Sequence, residues 1–287
     1  MDISSDTKLY AVIGDPIEHS FSPLMQNIAF QRLGLNSVYL AFRVRSQDLE
    51  SAIAGMRSLG VSGFNVTVPH KVSVMRYLDR VDRLAVDIGA VNTVVNEGGT
   101  LIGYNTDGEG ALAALREEGV ELKGRKVVLL GAGGAAKALA FSIAPAVGKL
   151  IILNRTESKA RDLASSLKGR LSSAVEGRKL TETSLRNELA DADVLINATS
   201  VGMYPKADET LVKREFLHRG MTVFDIVYNP LMTRLLKEAE DASVHAMGGV
   251  KMLVYQGALA FELWTGRKPP VDEMCEAVEN ALRRRTG

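Results

Sequence analysis

One stretch, Val127-Val128-Leu129-Leu130-Gly131-Ala132-Gly133-Gly134-Ala135-Ala136, limits what this chain can fold into more than any other. Four consecutive apolar residues, two of them β-branched, predict a strand buried on both faces, as in a parallel sheet. The strand runs into a glycine-rich turn and then into Ala136-Lys137-Ala138-Leu139-Ala140-Phe141, a helical run. Glycines between a strand and a helix point to a dinucleotide site. Gly131 permits the tight turn, Gly133 lets backbone approach a pyrophosphate, and small Ala136 lets helix pack on strand. The helix start offers unpaired N–H groups and the positive end of a dipole to phosphates. The bland alternative is an ordinary turn with spare glycines.

The next strand, Lys149 to Leu153, leads into Asn154-Arg155-Thr156. Folds that bind NAD place an acidic residue about 20 positions beyond the glycines, on the ribose 2′-hydroxyl. Here that place holds Asn154. A carboxylate would repel a 2′-phosphate, whereas Arg155, Thr156 and Lys159 one helical turn on would attract it. The reading is NADP rather than NAD. The alternative for Arg155 and Lys159 is a solvated helix start.

A chain of 287 residues suits two domains of ordinary size or one large one. Apolar residues make up 46% and the net charge is +1, so no bulk attraction to nucleic acid or membrane is expected. A single cysteine, Cys275, excludes an internal disulfide and a thiolate metal cluster, and fits a reducing cytoplasm. The four histidines lack metal-ligand spacing, so no metal is expected. Val127 to Leu153 is apolar, but Lys137, Pro145, Lys149 and the glycines argue against a membrane span.

Upstream, strand and helix patterns alternate: strand Leu9 to Ile13, helix from Ser22 to about Leu33, strand Val38 to Val44, helix Ser46 to Gly60, strand Ser62 to Val68. Ser22 is the expected N-cap, with Pro23 at the first helical position. This order is that of a parallel α/β sheet. Ligands bind beyond the carboxyl ends of strands in such sheets, and Asn65, Thr67 and Lys71 gather at one. Lys71 is either a site residue or a solvated lysine on a capped helix. Ala90 to Asn96 and Thr100 to Tyr104 read as a hairpin around Glu97-Gly98-Gly99. Asp107 follows, as a possible cap for a helix from Gly110 to Glu118.

Downstream, strands are expected at Val194 to Asn197, Thr222 to Asp225 and Val244 to Ala246, whereas Leu171 to Thr183 yields no clear pattern. Gln256 sits in the apolar helical run Met252 to Trp264, as a ligand contact or as a satisfied core amide.

Together these segments resemble shikimate dehydrogenase over nearly the whole chain. The resemblance is carried by His19-Ser20-Phe21-Ser22-Pro23, Gly63-Phe64-Asn65-Val66-Thr67-Val68-Pro69-His70-Lys71, Gly89-Ala90-Val91-Asn92-Thr93 and Gly103-Tyr104-Asn105-Thr106-Asp107-Gly108. The Gly131 turn, Asn154-Arg155-Thr156, Asn197-Ala198-Thr199-Ser200-Val201-Gly202-Met203 and Tyr255-Gln256-Gly257-Ala258 complete it.

The resemblance implies reversible NADP-linked interconversion of shikimate and 3-dehydroshikimate, on the way to chorismate and the aromatic amino acids. It implies an α/β substrate domain over 1–107, completed by helices of 250–287 that return to it, and a Rossmann NADP domain over 108–249. Ser20, Ser22, Asn65, Thr67, Asn92, Asp107, Tyr228 and Gln256 would contact substrate. Lys71 would be the acid/base, with Asp107 as its partner. Gly131, Ala132, Gly133, Gly134, Ala135, Asn154, Arg155, Thr156, Lys159, Thr199, Ile226 and Gly249 would surround the cofactor. One position departs from the family's usual glycine: Lys251, expected to touch the cofactor phosphates or to point to solvent. The chain would be a monomer or homodimer acting on a small molecule, without nucleic acid or membrane. The nearest alternative is a quinate/shikimate dehydrogenase using NAD or both cofactors. An alternative of another class is a non-catalytic sensor of a shikimate-like ligand.

Overall fold

The computed structural model describes residues 3–168 and 174–286. The chain divides into two compact units, the first formed by Met1–Gly110 and Val254–Asn280, the second by Ala111–Leu253 and Ala281–Gly287.

The first unit begins with β1 (Lys8–Gly14), α1 (Ser22–Arg32), β2 (Ser37–Arg43), α2 (Leu49–Ser58) and β3 (Gly63–Val66). It continues with β4 (Arg80–Val81), α3 (Arg83–Ile88), β5 (Thr93–Glu97), β6 (Thr100–Tyr104) and the start of α4 (Asp107–Glu117). The sheet order is β2-β1-β3-β5-β6-β4. β1 runs parallel to both β2 and β3, while β5 turns antiparallel to β3 and forms the expected hairpin with β6. Ala11, Ile13, Phe64 and Val66 from the sheet bury against Leu49, Ile53 and Met56 of α2. That apolar layer leaves the polar strand ends as the place for chemistry.

Two helix starts differ from the sequence reading. The N-cap of α1 is Phe21 rather than Ser22, which is already helical, and no side chain caps it. α4 begins at Asp107, not Gly110, so Asp107 occupies the first turn instead of capping. Asn105 does the local capping, its Oδ1 accepting from Asp107 N at 3.1 Å.

The second unit carries β7 (Lys126–Leu130), α5 (Gly134–Ile143), β8 (Lys149–Asn154), α6 (Glu157–Leu167), β9 (Ala174–Lys179), α7 (Glu182–Leu189) and β10 (Val194–Asn197). Then follow β11 (Thr222–Asp225), α8 (Arg234–Asp241), β12 (His245–Met247), α9 (Val250–Thr265) and α10 (Val271–Thr286). The sheet order is β12-β11-β10-β7-β8-β9, parallel throughout. This doubly wound order reverses at β7, where such folds place a nucleotide. β7 and β8 are fully buried except at their ends, as continuous apolar strands should be. The edge strand β9 lies in the stretch that gave no sequence pattern, part of which (169–173) is outside the described residues.

α9 runs across the division between the units. In the first unit its C-terminal part is pinned by Trp264, whose Nε1 donates to Val94 O at 3.0 Å and whose ring lies against Tyr10 and Tyr39. Among the described residues no helix is long and apolar enough to cross a membrane.

Candidate active site

Lys71 leaves the turn after β3. The turn is held from below by buried His70, whose Nε2 donates to Val44 O at 2.6 Å, and by Val91 N donating to Lys71 O at 2.8 Å. The Lys71 side chain is 25% exposed and its Nζ lies 2.6 Å from Asp107 Oδ2. Asp107 Oδ1 accepts from Asn92 Nδ2 at 2.7 Å. Placed in the first turn of α4, the carboxylate also meets the favourable end of the helix dipole.

Asn92 is used at both ends of its amide. Nδ2 also donates to Thr106 Oγ1 at 3.0 Å and, more weakly, to Gln256 Oε1 at 3.4 Å. Oδ1 accepts from Thr106 N at 2.9 Å and from Thr93 Oγ1 at 3.0 Å. Gln256 reaches this group because α4 and α9 cross closely at Gly110, where a Cβ would stand 2.6 Å from Gln256 N. A larger residue at Gly110 would separate the two helices.

Polar contacts continue outward. Asn65 Nδ2 donates to Thr93 Oγ1 at 3.0 Å and to Asn92 O at 3.1 Å, and Asn65 Oδ1 accepts from Tyr39 Oη at 2.6 Å. Burial pushes the Tyr39 phenol well above its ordinary value, opposed by a hydrogen bond with Ser22. Ser22 N in turn donates to Ser20 Oγ at 3.2 Å. One hydrogen-bonded run therefore links Ser20, Ser22, Tyr39, Asn65, Thr93, Asn92, Asp107 and Lys71 in the first unit. Thr67 stands beside it at the end of β3, half-buried, its N–H on Ile13 O at 2.9 Å. Tyr39 was not anticipated from sequence. Its signal was a phenol on an otherwise apolar strand, since a buried hydroxyl needs a partner.

Of the expected substrate residues, Tyr228 alone lies outside the first unit. It belongs to the second unit, half-buried in the segment after β11.

In the second unit β7 is followed by Gly131, with φ of +110° and a hypothetical Cβ 2.8 Å from Ala198 O, so only glycine fits this turn. Over Gly133 and Gly134 a Cβ would meet nothing within 4 Å, and no side chain caps the start of α5. That end is open to accept phosphate oxygens. Ala132 lies in the turn and Ala135 in the first turn of α5. Asn154 closes β8, its Nδ2 donating to Thr156 O at 2.9 Å. Arg155, Thr156 and Lys159 are exposed there, and neither cation makes an ion pair among the described residues. This donor set, with Asn154 where NAD-binding folds carry an acid, fits a 2′-phosphate.

Thr199 and Ile226 lie at the ends of β10 and β11. Thr199 Oγ1 donates to Asn197 Oδ1 at 2.7 Å, and Ile226 N to Asn197 O at 3.1 Å. Gly249 N donates to Val227 O at 3.3 Å. Beneath them Asp225 is completely buried and accepts from Asn197 Nδ2 (2.9 Å), Thr233 Oγ1 (2.7 Å) and Val227 N (3.1 Å). Burial pushes its carboxyl up to about 6 against those three hydrogen bonds.

Lys251, one-third exposed, is engaged by two carboxylates. Its Nζ lies 2.6 Å from Glu118 and 3.2 Å from Glu117, at the end of α4. Burial would lower the ammonium, but hydrogen bonds and charge from both carboxylates outweigh it and hold Lys251 well above its ordinary value. Glu118, which also faces His245 at 3.6 Å, is held below the usual carboxylate range, chiefly by the Lys251 hydrogen bond. Among the described residues no group of three His, Cys, Asp or Glu side chains could hold a metal ion.

Three family models match the chain. The shikimate dehydrogenase substrate binding domain matches residues 12–94, shikimate / quinate 5-dehydrogenase matches 112–250, and the shikimate 5'-dehydrogenase C-terminal domain matches 249–279. The shikimate dehydrogenase (NADP(+)) of Methanopyrus kandleri is 50% identical over 286 residues, 99% of each chain. A crystal structure of shikimate dehydrogenase in complex with NADP+ superimposes with a TM-score of 0.92 at 46% identity, covering 98% of each chain. The enzyme from Listeria monocytogenes, solved with shikimate and NAD, gives a TM-score of 0.92 at 38% identity, over 97% of this chain and 98% of that one.

Proposed function

The chain belongs to the shikimate dehydrogenase family, and from that premise we propose that the first unit binds shikimate or 3-dehydroshikimate and the second binds NADP. The protein is an NADP-dependent oxidoreductase that interconverts these two compounds, a step toward chorismate and the aromatic amino acids.

The observation that carries the assignment of roles is the Lys71–Asp107 pair, buttressed by Asn92 at the end of the polar run. Of the three N–H donors of Lys71, Asp107 takes one, and the quarter-exposed side chain offers the others. In the reductive direction Lys71 gives a proton to the oxygen that becomes the hydroxyl, and in the oxidative direction it takes that proton back. Asp107 holds the ammonium in place, and Asn92 fixes Asp107. Ser20, Ser22, Asn65, Thr67, Asn92, Tyr228 and Gln256 supply hydroxyl and amide groups matched to a carboxylate and three hydroxyls. A ligand lacking those groups would leave several of them unpaired. NADP, when bound, carries the hydride.

Gly131 through Ala135 and the start of α5 would take the pyrophosphate. Asn154, Arg155, Thr156 and Lys159 would take the ribose 2′-phosphate, and Thr199, Ile226 and Gly249 the remaining contacts. All these residues lie in one chain, so a monomer or homodimer suffices. NADP-linked biosynthesis and a single thiol support a cytoplasmic location.

Turnover followed by nicotinamide absorbance, with shikimate and quinate each paired with NADP and NAD, tests the reading. Fast turnover with shikimate and NADP alone is expected. Comparable rates with quinate or NAD would move the protein to the broader-specificity branch. Tight shikimate binding with no turnover in any pairing would make it a sensor.

A further inference from the structure

Asp225 is a buried carboxylate with no part in the roles assigned above. It ends β11 in register with Asn197 at the end of the neighbouring parallel strand β10, so the two side chains meet on one face. From these two strand ends depart the segment with Thr199 and the segment with Ile226 and Tyr228.

The hydrogen bonds around Asp225 have one direction. Asn197 Oδ1 is already engaged by Thr199 N at 3.1 Å and Thr199 Oγ1 at 2.7 Å. Its amide hydrogens must therefore find acceptors, and they go to Asp225 Oδ1 and Val201 O. Thr233 Oγ1 accepts from Leu236 N at 3.3 Å as the cap of α8, so its own hydrogen goes to Asp225 Oδ2. Val227 N–H is the third donor. A side chain that only accepts is required here, and a carboxylate is the one that has that property and this length.

We propose that Asp225 is a positioning residue for the cofactor: through Asn197 it sets Thr199, and through Val227 N–H and Thr233 it sets the segment with Ile226 and Tyr228. This rests on the assignment of Thr199 and Ile226 to the NADP site. Asp225 touches neither substrate nor cofactor. It holds two loop starts in one arrangement, so that the cofactor meets an ordered surface and does not have to order it. Burial that raises the carboxyl to about 6 is consistent with a group kept here at a cost to stability.

Asp225→Asn keeps the shape but turns an N–H2 against neighbours that donate. Thr233→Val removes one donor, and Thr233→Ser keeps it. NADP dissociation constants, KM and kcat at saturating shikimate, and melting temperatures would be measured on folded protein. In Asp225→Asn the Kd and KM for NADP should rise about tenfold while kcat falls less than threefold. Thr233→Val should move in the same direction, and Thr233→Ser should remain near wild type. If Asp225→Asn does not fold, the two Thr233 variants decide. Wild-type NADP affinity in both Asp225→Asn and Thr233→Val, whatever their melting temperatures, would overturn the inference alone. Wild-type protein that binds no NADP would overturn both the inference and the reading beneath it.

Discussion

Lys71 Nζ and Asp107 Oδ2 stand 2.6 Å apart, and the other oxygen of the same carboxylate is occupied by Asn92 at 2.7 Å. Because Asp107 is fixed from the far side, the ammonium has one resting position. A lysine on a four-carbon stem is otherwise among the most mobile of side chains. That positional constraint would suit Lys71 to the proposed role of proton donor and acceptor.

Lys71→Ala should therefore lose about 10²- to 10⁴-fold in kcat, the usual range for a positioned general acid or base. Calorimetric Kd for shikimate should change by less than about tenfold, because the hydroxyl and amide groups from Ser20 to Gln256 remain. Retained turnover would remove Lys71 from the chemistry.

Arg155→Ala should discriminate between cofactors. Loss of a charge-assisted contact to a 2′-phosphate costs about 1.5–3 kcal/mol, or roughly 10- to 150-fold in the KM for NADP. The KM for NAD, which has no such phosphate, should be nearly unchanged. Parallel loss with both cofactors would rule out the phosphate contact.

Asp225 makes a prediction about stability and pH. Its folded value of about 6 lies above the ordinary 3.8. Between those values the folded chain holds a proton that the unfolded chain has released. The contribution of Asp225 to stability therefore grows as pH falls from about 6 toward 4, and at neutral pH the ionised group costs about 3 kcal/mol. Urea unfolding of wild type and Asp225→Asn at pH 4.5 and pH 7 reads this directly. The variant should lack that share of the pH dependence, and parallel profiles would refute it.

Lys251→Ala removes an ion pair whose partners are all about one-third exposed. The expected loss is under about 1 kcal/mol in denaturant unfolding, smaller still in 1 M salt. Because Glu117 and Glu118 occupy the ammonium, the KM for NADP should stay within about twofold. A large rise in that KM would show that Lys251 serves the cofactor after all.

Elements with one dominant local signal were legible from sequence. β10 and β11 lie where their apolar runs end, the β5–β6 hairpin forms around Gly98-Gly99, and the Gly131 turn sits between β7 and α5. β9 was not legible. Ala-Val-Glu-Gly-Arg-Lys is the composition of an edge strand, charged and only partly covered, and its pairing with β8 is a tertiary event. The polar run around Lys71 was half visible. Lys71 stood out as a polar residue beyond a strand end, but Asp107 read from the residues alone only as a helix cap, Tyr39 gave no reading, and the contacts of Asn92 reach partners up to 164 positions away. Lys251 shows the limit most plainly: its partners lie on a helix more than 130 positions earlier, at a distance no local pattern spans.

The return of Val254–Asn280 to the first unit also has a consequence for synthesis. Sequences leaving the ribosome usually complete their leading domain first. Here the first 110 residues emerge early but lack the segment bearing Gln256, Phe261 and Trp264, against which Asn92, Phe30 and Tyr10 pack. The stretch Ala111–Leu253 has emerged by then, with its parallel sheet complete. The unit translated first thus waits for a segment made after the whole sheet of the second, and its aromatic face stays uncovered for most of the time the chain is being made.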